Sequence, residues 1–220
     1  MLLKLPVHCS KPETYRYLGY KDNLTEDWPT LDRLFEETKR QLQPLCRAEG
    51  GVKTWEHFPF SLPGYDLPHL LRYSRRVSIM AITLGSGIDD YIARHLAEGE
   101  ITRATLADAM ASSAAEEAME TLNRLVQSDA RLQGYRTTPR FSPGYGDAPL
   151  SIQENVLHVL EENRPPIEVL PGGIMRPRKS VTAIVGWEPQ DGPHAILPGL
   201  CDHRCSACPL EICLYRKQDN

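Results

Sequence analysis

Apolar positions along the 220-residue chain recur with two different periods. Over residues 29–42, Leu31, Leu34, Phe35, Thr38 and Leu42 share one helical face, while Glu36, Glu37, Lys39 and Arg40 lie on the other. That spacing predicts an amphipathic helix whose charges face water. Residues 77–84 are rich in β-branched and apolar side chains and end at Gly85-Ser86-Gly87, after which Ile88, Tyr91, Ile92 and His95 resume a helical period. The pattern predicts strand, turn and helix.

A longer helix is predicted over residues 102–126, with Leu106, Ala109, Met110, Ala114, Leu122 and Leu125 on its face. Its small-residue patch at 111–115 admits close approach by a neighbouring helix or by a ligand. Ser151 and Glu154 have the spacing of a capping box at the head of a helix over 152–162, which Pro165-Pro166 would stop. Residues 167–170 and 181–187 read as strands separated by the Pro171-Gly172-Gly173 turn. Helices and strands alternate without a repeat or a regular βαβ rhythm, so the expected class is α+β, as one folded domain over residues 1–197.

Composition narrows the function. A formal net charge of -4, with 41% hydrophobic and 25% charged residues, lacks the basic stripe by which a nucleic-acid binder displaces counterions. No apolar run reaches the roughly 20 residues that span a bilayer, so no membrane partner is expected and the cytoplasm is the expected location. In that compartment structural disulfides are rare. Cys9 and Cys46 are isolated and read as structural thiols. The Gly85-Ser86-Gly87 turn has neither the full dinucleotide fingerprint nor the Lys-Ser/Thr of a phosphate-binding loop, and reads as a tight turn.

Residues 140–150 concentrate Arg140, Ser142, Pro143, Gly144, Tyr145 and Gly146 between two predicted helices. Proline and glycine make such a segment stiff and expose its backbone. Arg140 can grip a carboxylate with two parallel hydrogen bonds, or pair with a surface acid. Backbone groups around Ser142 and Gly144 can approach a planar ring because no bulky side chain stands in the way.

Arg140-x-x-Pro143-Gly144-Tyr145, followed by Met175-x-Pro177 and Ser180-Val181-Thr182, resembles the signature of the activation domain of cobalamin-dependent methionine synthase. The resemblance is strongest over residues 77–187, taking in Thr83-Leu84-Gly85 and Leu106–Ala111. Tyr17-Leu18-Gly19-Tyr20 is similar to the stand-alone short members. It implies a mainly antiparallel twisted sheet flanked by helices and a bound S-adenosylmethionine. Arg140 would hold the ligand carboxylate, Ser142, Pro143 and Gly144 would offer backbone to the adenosine, and Tyr145 would border the pocket. A helical glutamate facing the ligand falls in register with Glu116, with Glu117 and Glu120 as rivals one turn away. Two features depart from the family: a ligand-touching tyrosine is replaced by Val185, with Trp187 on the same strand face, and an N-terminal aspartate has no counterpart that can be placed.

The family reactivates cob(II)alamin by reductive methylation, an outside donor such as a flavodoxin or ferredoxin supplying one electron. The resemblance therefore implies an accessory protein with no acid, base or nucleophile of its own. Its cobalamin would arrive on a partner methyltransferase, since no cobalamin-binding or homocysteine-binding segment is recognised. Within residues 198–220, Cys201-x3-Cys205-x2-Cys208-x4-Cys213 places four soft ligands in a short span. Thiolates so dense suit an iron–sulfur cluster or zinc, or stand as reduced thiols. An iron–sulfur electron-transfer protein is the competing function.

Overall fold

The structure, a computed structural model, describes residues 2–20 and 29–195. In chain order it contains β1 (Leu3–Lys4), α1 (Lys11–Tyr17), α2 (Pro29–Leu42), β2 (Glu49–Trp55), α3 (Asp66–Leu71), β3 (Arg76–Thr83), α4 (Gly87–Ala97), α5 (Ile101–Leu132), β4 (Tyr135–Thr137), α6 (Gln153–His158), β5 (Glu168–Leu170), β6 (Ile174–Arg176) and β7 (Ser180–Pro189). Five strands form one antiparallel sheet in the order β1-β2-β3-β7-β4, and β5 pairs with β6 in a separate hairpin. The α+β class with an antiparallel sheet flanked by helices is as the sequence led one to expect.

The largely apolar sequence of β3 has a simple cause: the strand is central and covered on both faces. Met80, Ile82 and Leu84 join Ala183, Val185 and Trp187 in a core beneath α5, α4, α1 and α2. Val77, Ile79, Ala81 and Ile184 join a second core with Leu67, Leu70, Phe141, Val156 and Leu157. Side chains alternate between the faces, so a strand buried on both sides shows no polar alternation. Val185 and Trp187 do share a face, and Trp187 is satisfied there by donating Nε1 to Ser78 Oγ at 2.8 Å. No helix among the described residues is long and apolar enough to cross a membrane.

α5 is six residues longer at its C-terminal end than expected, because Ala130 is still fully buried. At 32 residues it spans about 48 Å and crosses the whole sheet. Its small-residue patch is taken up by protein: Ala111, Ser113, Ala114 and Ala115 are buried, and the Cys9 thiol approaches Met110 O at 3.7 Å.

Two expectations are corrected. The helix over 152–162 is a 3₁₀ turn (Leu150–Ile152), a short α6 and a second 3₁₀ turn (Glu161–Asn163). Ser151 lies inside the first turn, so it does not cap, and no side chain caps α6 at Ile152. The second turn instead packs on β2, where Asn163 Nδ2 donates to Val52 O at 3.2 Å, a contact that a continuous helix would forfeit. The Pro171-Gly172-Gly173 turn joins β5 to β6, not β5 to β7, because Ile174–Arg176 folds back as a strand of its own.

Candidate functional site

The segment after β4 runs along the edge of β7 and is stitched to it. Thr138 N donates to Gly186 O at 2.9 Å, and Gly186 N donates to Thr138 Oγ1 at 2.8 Å. Phe141 and Ile184 exchange both backbone hydrogen bonds at 2.9 and 2.8 Å, and Ser142 Oγ donates to Thr182 O at 2.7 Å. This strand-like course separates neighbours by face. Phe141 is wholly buried in the core below the sheet, while Arg140 turns to the α5 side.

Beyond Ser142 the chain closes a tight turn. Tyr145 N donates to Ser142 O at 3.1 Å and Gly144 N to Ala148 O at 2.9 Å. Gly144 has φ +91°, a left-handed conformation that favours glycine. Pro143 is buried beneath the turn, whereas Tyr145 is 51% exposed and meets Phe141 edge-on at 6.3 Å. The far side of the turn is clasped to the start of α3. Asp147 accepts from Tyr65 N at 2.5 Å and Asp66 N at 3.1 Å, and Asp66 Oδ2 accepts from Asp147 N at 3.2 Å. Those backbone donors hold the Asp147 carboxyl below the usual carboxylate range.

Across from the loop, α5 presents Asp108, Ser112, Glu116 and Glu120 at intervals of four, each half-buried, on an otherwise largely covered helix. Arg140 Nη2 lies 3.3 Å from Glu116 Oε2 and Arg140 Nε 3.5 Å from Glu120 Oε2. The arginine side chain is 14% exposed, against 41% and 33% for the two carboxylates. Glu117, by contrast, turns away and pairs with Arg124 at 3.3 Å. The structure thus brings Arg140 together with Glu116 and Glu120 and leaves Glu117 out, while the turn that carries Pro143, Gly144 and Tyr145 packs toward Phe141 and the start of α3.

Residues missed in the sequence lie further along the same stripe. Lys179, 10% exposed, sets its Nζ 2.8 Å from Asp108 Oδ1 and 2.8 Å from Ser112 Oγ. The four-residue spacing of polar side chains in an alanine-rich helix signalled Asp108 and Ser112, but not the lysine that meets them. Elsewhere, Gly85 takes φ +85° in the turn before α4, as a tight turn requires. His95, Glu98 and Glu100 converge at the end of α4, but Arg103 already holds Glu100 at 3.1 Å. Cys9 and Cys46 are half-buried free thiols, and burial pushes Cys46 up to about 11. Cys201, Cys205, Cys208 and Cys213 lie outside the described residues.

No family model matches the sequence, and no curated protein matches it. Among solved structures the chain is similar to the MetH reactivation domain bound to AdoHcy, with a TM-score of 0.61 and 15% identity over 89% of this chain and 80% of that one. At that identity the likeness shows a shared fold.

Proposed function

We propose that the protein binds S-adenosylmethionine where Arg140 of the 140–145 loop meets α5. From there it would present the methyl group to cobalamin carried by a partner, a cobalamin-dependent methyltransferase such as methionine synthase. The observation that carries the reading is one guanidinium held against two carboxylates of α5, in a fold shared with a domain whose structure holds AdoHcy.

The internal pairing explains how an amino-acid-bearing ligand would enter. At 3.3 and 3.5 Å, the Arg140 contacts are longer than the roughly 2.7–2.9 Å of good charge-assisted hydrogen bonds. A ligand carboxylate would take over the guanidinium with better geometry, and the ligand ammonium would take Glu116. Ser142, Pro143 and Gly144 would line the adenosine with backbone, and Tyr145 would border it. The chain's own residues need only bind, orient and exclude water. The sulfonium supplies the methyl group, and an outside donor such as a flavodoxin or ferredoxin supplies the electron that returns cob(II)alamin to its nucleophilic state. The protein would then be an accessory component of a cytoplasmic methyltransferase.

The test is an anaerobic assay with a corrinoid methyltransferase poised as cob(II)alamin, reduced flavodoxin and methyl-labelled S-adenosylmethionine. Label reaching the corrinoid only when this protein is present is the expected result. Transfer that ignores its presence would overturn the reading.

The density of cysteines favours a second component. Cys201, Cys205, Cys208 and Cys213 would hold an iron–sulfur cluster or zinc, and with iron the protein could itself carry the electron. Anaerobically purified protein should contain stoichiometric metal that is lost in Cys205→Ser. Metal-free protein with four titratable thiols in this segment would contradict this.

A further inference from the structure

A cavity of about 1110 Å³ opens where the start of β2 and the end of β3 meet the turn before α4, the 3₁₀ turn at 161–163 and the β5–β6 hairpin. Neither the 140–145 loop nor α5 contributes to its lining, so it is distinct from the site around Arg140. Its volume lies just above the roughly 300–1,000 Å³ of small-molecule sites.

Three guanidinium side chains reach it from separate parts of the chain: Arg47 ahead of β2, Arg164 after the 3₁₀ turn and Arg176 in β6. All three residues are exposed, and among the described residues none is paired with a carboxylate, whereas Arg103, Arg124, Arg136 and Arg140 each are. Arg164 Nη2 donates to Ile167 O at 2.6 Å, which holds that side chain at the cavity wall. Three acids, Glu49, Glu161 and Glu168, also line the cavity. Glu161 is taken by Lys53 at 2.6 Å, and Glu168 stands opposite Arg176 in the hairpin register. With Lys53 counted beside its acid, four cations face three acids, a surplus of one positive charge. Asp89 and Asp90 in the first turn of α4 are not part of the lining, and Asp89 instead accepts from Arg178 N at 2.7 Å.

The rest of the wall is apolar and stiff, built from Leu45, Pro165, Pro166, Ile167 and Pro177. An inorganic anion alone would leave that surface bare, whereas a ring would cover it. Guanidinium forks match phosphate oxygens two at a time, and a phosphate monoester carries about −1.5 to −2 at neutral pH, enough to absorb the surplus. We propose that this cavity binds a phosphate ester bearing a ring, with the phosphate on Arg47, Arg164 and Arg176 and the ring on the proline wall. The Gly85-Ser86-Gly87 turn, which has no phosphate-binding fingerprint of its own, then forms one side of a site whose cations come from elsewhere in the chain.

The test is calorimetric titration of the full chain with phenyl phosphate, with inorganic phosphate and phenol as its two halves. Phenyl phosphate should bind saturably with a dissociation constant of about 1 mM or tighter, more tightly than either half, and less tightly as salt is raised. Arg47→Gln and Arg176→Gln, which break no ion pair among the described residues, should each weaken it by about five- to tenfold and leave the melting temperature unchanged. Arg140→Ala should bind it as the wild type does, which separates this site from the proposed S-adenosylmethionine site. Heats indistinguishable from dilution at about 10 mM phenyl phosphate, or undiminished binding in the Arg47→Gln/Arg176→Gln double variant, would overturn the proposal. Equal displacement by chloride and by inorganic phosphate at matched ionic strength, the mark of general counterion binding, would overturn it too.

Discussion

Replacing Arg140 with alanine should separate binding from stability. Among the described residues Arg140 makes two ion pairs, at 3.3 and 3.5 Å, with carboxylates that are 41% and 33% exposed. Pairs of that exposure contribute about 0–1 kcal/mol, and removing the cation leaves two acids that water can still solvate. The position of the loop does not depend on this side chain. It is set by Phe141, Thr138 and Ser142, whose hydrogen bonds to β7 Arg140→Ala leaves intact. The melting temperature should therefore fall by no more than about 4 °C, the equivalent of about 1 kcal/mol in a chain of this size. Ligand binding should suffer far more. A guanidinium gripping a carboxylate makes charge-assisted hydrogen bonds of about 1.5–3 kcal/mol each, so losing one or two would weaken S-adenosylmethionine by roughly tenfold or more. The assays are thermal unfolding followed by circular dichroism and calorimetric titration, on the same preparations. An unchanged dissociation constant would refute the role of Arg140 in binding. A loss of more than about 8 °C would show that it is a structural tether instead.

Three further outcomes follow from the geometry. Asp147→Asn should loosen the clasp between the 142–148 turn and α3, lowering the melting temperature at pH 7. Because the folded carboxyl is held below its unfolded value, its stabilisation is present above about pH 4 and lost as pH falls through the lower folded value, so melting curves of wild type and variant should converge in acid. With burial raising Cys46 to about 11, alkylation at pH 8 should be about a hundredfold slower at this thiol than in urea-unfolded protein, as peptide mapping would record. Gly51→Ala would place a Cβ 1.6 Å from Asn163 O, displacing the 3₁₀ turn that packs on β2 and costing about 1–3 kcal/mol, read as a shifted urea midpoint.

What could be read in the chain, and what could not, follows from these same contacts. α2 was legible because its apolar and charged faces are separated at helical spacing, and β3 and β7 because strands covered on both faces concentrate β-branched residues. β2 was not, because Gly50 and Gly51 sit where Leu5 and the Asn163 carbonyl press against the strand, and glycine at such positions reads as a turn. The break in the helix over 152–162 was hidden for a related reason: it is imposed by Asn163 reaching Val52 O, a contact far away in sequence. At the site, Arg140 and its glycine turn were visible as a motif. Choosing among Glu116, Glu117 and Glu120 needed the rotation of α5 about its axis, which puts the first and third on Arg140 and the second on Arg124. Lys179 was invisible because nothing in a Pro-Arg-Lys-Ser stretch announces a lysine buried against a helix.

The most direct measurement is anaerobic titration of the full-length wild-type chain with S-adenosylmethionine by calorimetry. The account predicts saturable binding of one ligand per chain, sensitive to salt and to Arg140. Heats indistinguishable from dilution up to millimolar ligand would contradict it.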